Sequence, residues 1–243
     1  MPDDDRTTRS RRVSRRFLIA GAASVLAAPR ALAKAHPGAP ALSPAAALQR
    51  LMDGNARYVA GRPVHPNLSA ERRRSLAAGQ HPFATILACA DSRVGPELIF
   101  DQGLGDLFVI RVAGNVVDDV VLASIEYSVI HLGSPVVMVL GHARCGAVIA
   151  TAEALAGKAG DEDRDTKIAA LADLIAPAVR AVPAAAPDKV DAAVLANARR
   201  GAHLILTTSP PLAARARDGQ LQIVSARYDL DDGRVTHVLA AES

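Results

Sequence analysis

Three short aliphatic runs constrain this chain more than any other feature. They are Phe83 to Cys89, Leu107 to Arg111 and Val136 to Leu140. Their apolar positions are continuous rather than alternating. That is the pattern of strands buried on both faces, as in parallel sheets covered by helices. Helical spacing fills the intervals: Leu122, Ile125 and Val129 within Val120 to His131, then Ala147 to Ala156, and the long Val190 to Leu206. Aromatic residues are only 3% of the chain, so Ala, Val, Leu and Ile must fill the core. Strands alternating with helices specify an α/β fold, a mostly parallel β-sheet flanked by helices. In such sheets the chemistry gathers at the carboxyl ends of the strands.

Local signals mark the remaining elements. Ser43-Pro44 supplies an N-cap and a first-turn proline for an N-terminal helix with Leu48, Leu51 and Met52 on one face. Gly54 reads as its stop. Residues 62–66 hold two prolines and read as an extended arm without intrachain partners, whereas 157–166 reads as a solvated acidic loop. Ser209-Pro210-Pro211 opens a further helix. Gln220 to Tyr228 and Val235 to Leu239 flank Asp231-Asp232-Gly233, a hairpin signal.

The N-terminus reads as a targeting segment. A charged stretch ending at Arg15-Arg16 precedes the apolar run Ile19 to Ala28 and the small-residue pattern Ala31-Leu32-Ala33. That order is the order of an export signal. The run has half the ~20 residues that a bilayer span needs. The paired arginines are similar to a twin-arginine signal, which exports prefolded proteins to the periplasm, although Phe17 follows the pair directly. The expected organisation is therefore an export signal at 1–35, a linker at 36–42 and one domain at 43–243, with no transmembrane helix in the mature chain. Residues 1–35 carry eight basic and three acidic groups against a net charge of +3 for the whole chain, so the remainder is slightly acidic. The basic balance belongs to the leader, and no nucleic-acid partner is expected.

The chain has two cysteines, Cys89 and Cys145, each where a predicted strand gives way to a loop or helix. Two readings stand at this level. Paired cysteines in an exported protein form a disulfide. Alternatively, Cys89, Cys145 and His142 make a borderline-soft ligand set suited to four-coordinate Zn²⁺, with a fourth position left for water. Asp91 and Arg93 follow Cys89 by two and four residues and can share its pocket, the guanidinium holding the carboxylate bidentately. A disulfide accounts neither for His142 nor for the placement of both cysteines at strand ends.

Cys89-Ala90-Asp91-Ser92-Arg93-Val94 and Gly141-His142-Ala143-Arg144-Cys145-Gly146 resemble the two signature motifs of β-class carbonic anhydrases. The resemblance extends from about Ala45 to Val238. It takes in Asp53-Gly54-Asn55-Ala56-Arg57-Tyr58, Arg111-Val112-Ala113-Gly114-Asn115 and Ser225-Ala226-Arg227-Tyr228-Asp229-Leu230. Val112 departs from the asparagine common in the family, and the absence of Trp argues against a Trp-built allosteric bicarbonate site.

The resemblance implies zinc held by Cys89, His142 and Cys145, with Asp91 and Arg93 as the catalytic dyad and Asp91 a fourth ligand in a closed state. It implies reversible hydration of carbon dioxide to bicarbonate. Gln80, Phe108 and Tyr127 would line the substrate pocket of the plant-type subclass, with Val94 beside Phe108 on its apolar wall and Gly146 offering its N–H to bicarbonate. It also implies a homodimer or homotetramer whose pockets draw on both subunits. Hydrolysis of carbonyl sulfide or carbon disulfide on the same site is the nearest alternative. Of the other histidines, His36, His65, His81, His131, His203 and His237, the sequence selects none as a proton carrier.

Overall fold

A computed structural model describes residues 42–158 and 166–241. The expected signal, the linker up to residue 41 and most of the acidic segment 157–166 lie outside those residues.

Ser43 caps helix α1 (Pro44–Val59), its hydroxyl accepting from the Ala46 N–H at 3.2 Å. The helix does not stop at Gly54. That residue is buried in mid-helix, where an added Cβ would lie 1.8 Å from the Phe100 carbonyl oxygen. The glycine therefore marks a close approach of two backbones rather than a terminus. The arm that follows is also anchored, against expectation. The fully buried Asp101 carboxylate accepts from Arg57 Nε at 2.6 Å, from the Val64 N–H at 3.0 Å and from the His65 N–H at 2.9 Å. A short exposed helix, α2 (Ala70–Leu76), follows the arm, with no counterpart in the sequence reading.

The remaining order is β1 (Ala84–Ala88), α3 (Pro96–Ile99), β2 (Leu107–Arg111), a 3₁₀ turn (Ala113–Asn115), α4 (Asp119–Ile130) and β3 (Val136–His142), then α5 (Gly146–Leu155), α6 (Ile168–Arg180), α7 (Lys189–Thr208), α8 (Pro210–Arg217), β4 (Gln222–Tyr228) and β5 (Val235–Ala240). The strands form one sheet in the order β2-β1-β3-β4-β5, parallel except for β5, which pairs antiparallel with β4 as the hairpin signal required.

All seven residues of β3 are buried. Its alternate side chains feed two cores. Met138 and Leu140 pack with Ile86, Val224, Leu51 and Phe100 on one face, under α1 and α3. Val137 and Val139 pack with Leu87, Ile125, Ile205 and Leu212 on the other, under α4, α7 and α8. The connection from β1 runs outward to β2 through α3, and the connection from β2 returns across β1 to β3 through α4. Helices on opposite faces for opposite directions of travel are what a single hand of crossover requires. The carboxyl ends of β1 and β3 thus flank the point where the winding reverses, the crevice where α/β sheets place their ligands. A third cluster sits at that end and joins Cys89 and Cys145 to Val148, Ile175 and Val194 of α5, α6 and α7.

Candidate metal centre

Cys89 is the first residue after β1, and His142 is the last of β3, the adjacent strand. Register carries Ala88 opposite Leu140, so the two side chains end one strand apart at the same edge. Cys145 is brought back by Arg144, whose φ of 52° reverses the chain between strand and helix. A non-glycine residue in that region carries strain of about 1 kcal/mol, found where the surroundings over-determine it. Arg144 is held by two bonds to Asp231, at 2.8 and 2.7 Å. Cys145 then occupies the N-cap of α5.

The two sulfurs lie 4.0 Å apart, and both thiols are free and buried. A disulfide needs about 2.05 Å, so the structural-disulfide reading is removed. Tetrahedral zinc with Zn–S of about 2.3 Å would place them about 3.8 Å apart. The ligand atoms of Cys89, His142 and Cys145 all fall within 4.8 Å of one another. His142 Nδ1 is 3.0 Å from the Ala143 carbonyl, which can only accept, so the ring proton sits on Nδ1. Its Nε2 lone pair is left buried without a hydrogen-bond partner. Burying such an atom is costly unless something electron-deficient meets it. Two sulfurs and an unpaired imidazole nitrogen on one side of one space fit a zinc ion.

Electrostatics agree with a cation there. The Cys145 thiol beside Cys89 is the main influence holding Cys89 below the ordinary thiol range, with His142 and the Asp91 and Gly114 N–H groups adding to it. Cys145 is pushed up, first by its bond with Cys89, then by burial and by the neighbouring negative charge. Without a metal one negative charge is shared between two sulfurs, and a divalent ion is what lets both ionise.

Asp91 Oδ2 stands 3.8 Å from His142 Nε2. Arg93 grips that carboxylate by Nε to Oδ1 at 2.9 Å and Nη2 to Oδ2 at 2.7 Å, and its own N–H adds a third bond. The Arg93 side chain holds the Asp91 carboxyl well below the usual range. Arg111 secures the loop from the end of β2, donating to the carbonyls of Cys89 at 3.2 Å and Asp91 at 2.6 Å. The sequence motifs do not reveal this role. The signal for it is register, since Arg111 pairs with Ala88, immediately before Cys89. Gly114 also belongs to the site, its N–H donating to Cys89 Sγ at 3.2 Å.

Five of the nine predicted site residues therefore converge, and Gly146 joins them as the first residue of α5. The N–H groups of that helix's first turn have no intrahelical acceptor, which suits an anion. Gln80, Phe108 and Tyr127 do not converge within one chain. Phe108 pairs with Thr85, four residues before Cys89 and hence about 13 Å down the strand. Tyr127 is 46% exposed, its ring 6.2 Å from that of Phe108 and 5.3 Å from that of His131. Gln80 is exposed on the loop before β1. Val94 is fully buried in the core beneath α1 and α3, so it offers no open wall in the single chain.

Comparison with known proteins places the chain among carbonic anhydrases. A family model described as carbonic anhydrase matches residues 84–235. The chain is 44% identical over 197 residues to carbonic anhydrase 2 of Mycobacterium tuberculosis, covering 80% of this chain and 93% of the relative. It is 41% identical over 198 residues to the carbonic anhydrase of Mycolicibacterium smegmatis, covering 81% and 94%. Among solved structures it resembles the β-carbonic anhydrase CcaA, with a TM-score of 0.58 at 26% identity over 80% of this chain and 95% of that one. It also resembles the β-carbonic anhydrase CafA of Aspergillus fumigatus, with a TM-score of 0.58 at 28% identity over 82% and 91%.

Proposed function

The chain belongs to the β-carbonic anhydrase family, zinc enzymes that hydrate carbon dioxide reversibly to bicarbonate and a proton, and on that premise we propose how its own residues divide the work. Zinc supplies a Lewis acid that lowers the pKa of a coordinated water, a chemistry best known from carbonic anhydrases built on three histidines. Cys89, His142 and Cys145 would hold the ion. Asp91, whose Oδ2 lies 3.8 Å from His142 Nε2, would take a hydrogen bond from the reacting water and so fix the direction of its lone pair. Arg93 keeps Asp91 ionised and turned into the site. The Gly146 N–H, at the positive end of α5, receives the bicarbonate oxygen.

The observation that carries this reading is the buried, unpartnered His142 Nε2 facing two free thiols. Stopped-flow hydration of carbon dioxide by the zinc-loaded protein, with and without a chelator, tests it. Loss of turnover on chelation and recovery with zinc are expected. A zinc-loaded protein without hydration activity overturns it.

We also propose a dimer in which Gln80, Phe108 and Tyr127 complete the pocket of the other copy. Support comes from Phe108, which lies opposite Thr85 and so well down the strand from the metal ligands, on β2, which among the described residues is an edge strand, and from Tyr127 of α4, whose half-exposed ring lies beside that of Phe108. Light scattering gives the mass; a monomer with full activity would defeat the proposal. Export to the periplasm through a twin-arginine signal at 1–35 is a third proposal, supported by Arg15-Arg16, the apolar run and Ala31-Leu32-Ala33. A prefolded, metallated passenger keeps its two thiols from oxidation in transit. Fractionation with N-terminal sequencing is the test, and an uncleaved cytoplasmic protein is the contrary result.

A further inference from the structure

Asn197, on α7, is 5% exposed and has no place in the sequence motifs. Its Nδ2 donates to the Gly114 carbonyl at 2.7 Å, and the Gly114 N–H donates to Cys89 Sγ at 3.2 Å. Gly114 has φ 67° and ψ 14°, a left-handed conformation that glycine adopts without cost. A Cβ there would lie 2.6 Å from Ile175 Cδ1 and 3.3 Å from the Ala147 Cβ, so any other residue would be strained at this φ and would have to displace the buried Ile175. The site thus has its most flexible residue type at a point where a backbone N–H is aimed at a sulfur. Packing from α5 and α6 closes one side of that residue. The Asn197 amide fixes the peptide that follows it and with it the rotation about the Gly114 backbone.

We propose that Asn197 is a positioning residue for the metal, acting through Gly114 to hold the hydrogen bond on the Cys89 sulfur. This rests on the zinc reading above. A thiolate that accepts an N–H bond gives part of its charge to that donor and less to the ion. In a site with two thiolates, which already quench the charge of the ion, withdrawing density from one of them keeps the metal electrophilic. Loosening the Gly114 peptide loses that effect and frees the ligand to move.

The test uses cobalt in place of zinc in the full chain, because thiolate-to-cobalt charge transfer absorbs in the near ultraviolet and reports the charge on sulfur directly. Asn197→Asp keeps the shape and removes the donor; Asn197→Leu removes both polar atoms and stands in if the buried charge of the first unfolds the chain. Far-ultraviolet circular dichroism establishes which variant is folded. The expected result is a charge-transfer band moved to lower energy than in the unaltered protein, with zinc lost to a chelator about tenfold more readily. A folded variant with an unmoved band and unchanged zinc retention overturns the proposal and leaves the zinc reading standing. Absence of any thiolate band in the unaltered protein overturns the zinc reading itself.

Discussion

Arg93 and Asp91 meet as a flat, two-point pair, Nε to Oδ1 at 2.9 Å and Nη2 to Oδ2 at 2.7 Å. The guanidinium is half exposed while the carboxylate is turned inward to within 3.8 Å of His142 Nε2. Exposed ion pairs add little to stability, so the value of this one lies in orientation. Its fork fixes the plane of Asp91 and keeps it charged.

Asp91→Asn should therefore retain zinc and fold yet lose about 100-fold in kcat/KM, the lower range for removing a positioned acid–base group. Arg93→Lys keeps the charge but cannot make both bonds. Its activity should fall between that of Asp91→Asn and that of the unaltered enzyme. Stopped-flow hydration with zinc analysis on the same samples decides it. Full activity of Asp91→Asn would remove Asp91 from the mechanism.

Removing the metal should expose the ligand set chemically. Cys89 and Cys145 are the only cysteines in the chain, and both are free and buried. Chelated protein should titrate two reactive thiols per chain, and zinc-loaded protein none on the same time scale. Zinc should restore both the protection and the hydration activity. Protection without zinc would mean that burial alone shields the sulfurs.

Gly54 gives a prediction about the fold. Its Cβ position lies 1.8 Å from the Phe100 carbonyl oxygen and 3.0 Å from Gln102 Nε2. Gly54→Ala should therefore cost about 3 kcal/mol by forcing α1 away from the segment after α3, although alanine is the better helix former. Gly79, with open space around its Cβ position, is the control, and Gly79→Ala should leave the melting temperature unchanged. Equal melting temperatures for the two variants would show that α1 moves aside freely.

The same glycine marks the boundary of what sequence reasoning can see. Aliphatic runs locate β1, β2 and β3 because burial on both faces leaves a local signature. The ligand trio is legible because Cys89, His142 and Cys145 sit at strand ends. Gly54 reads as a stop because a mid-helix glycine and a terminal one look alike until the partner backbone is known. Helix α6 escapes notice in an alanine-rich stretch with Pro177 inside it. Asn197 lies 83 residues from the carbonyl it holds, and no spacing rule connects them. The family pattern assigns Phe108 and Tyr127 to a pocket, yet register sets Phe108 opposite Thr85, four residues before Cys89.

Asp101 gives the pH prediction. Burial opposes its ionisation, but the Val64 N–H, the Arg57 side chain and the His65 N–H outweigh it and hold the carboxyl below the usual range. A group whose folded-state pKa is depressed contributes stability above its unfolded pKa, about 3.9 for Asp. That contribution is lost as pH falls through the folded value. The residue sits at φ 46°, a conformation that Asn also tolerates, so Asp101→Asn removes the charge without a backbone penalty. At pH 7 the variant should be less stable by about 1–3 kcal/mol, the cost of weakening a buried acceptor of charged and backbone donors. Below about pH 4 the unaltered protein loses its advantage and the two denaturation curves should converge. A difference that stays constant from about pH 7 down to about pH 3 would mean that the Asp101 charge contributes nothing and that the arm at Val64 and His65 is held by hydrogen-bond geometry alone.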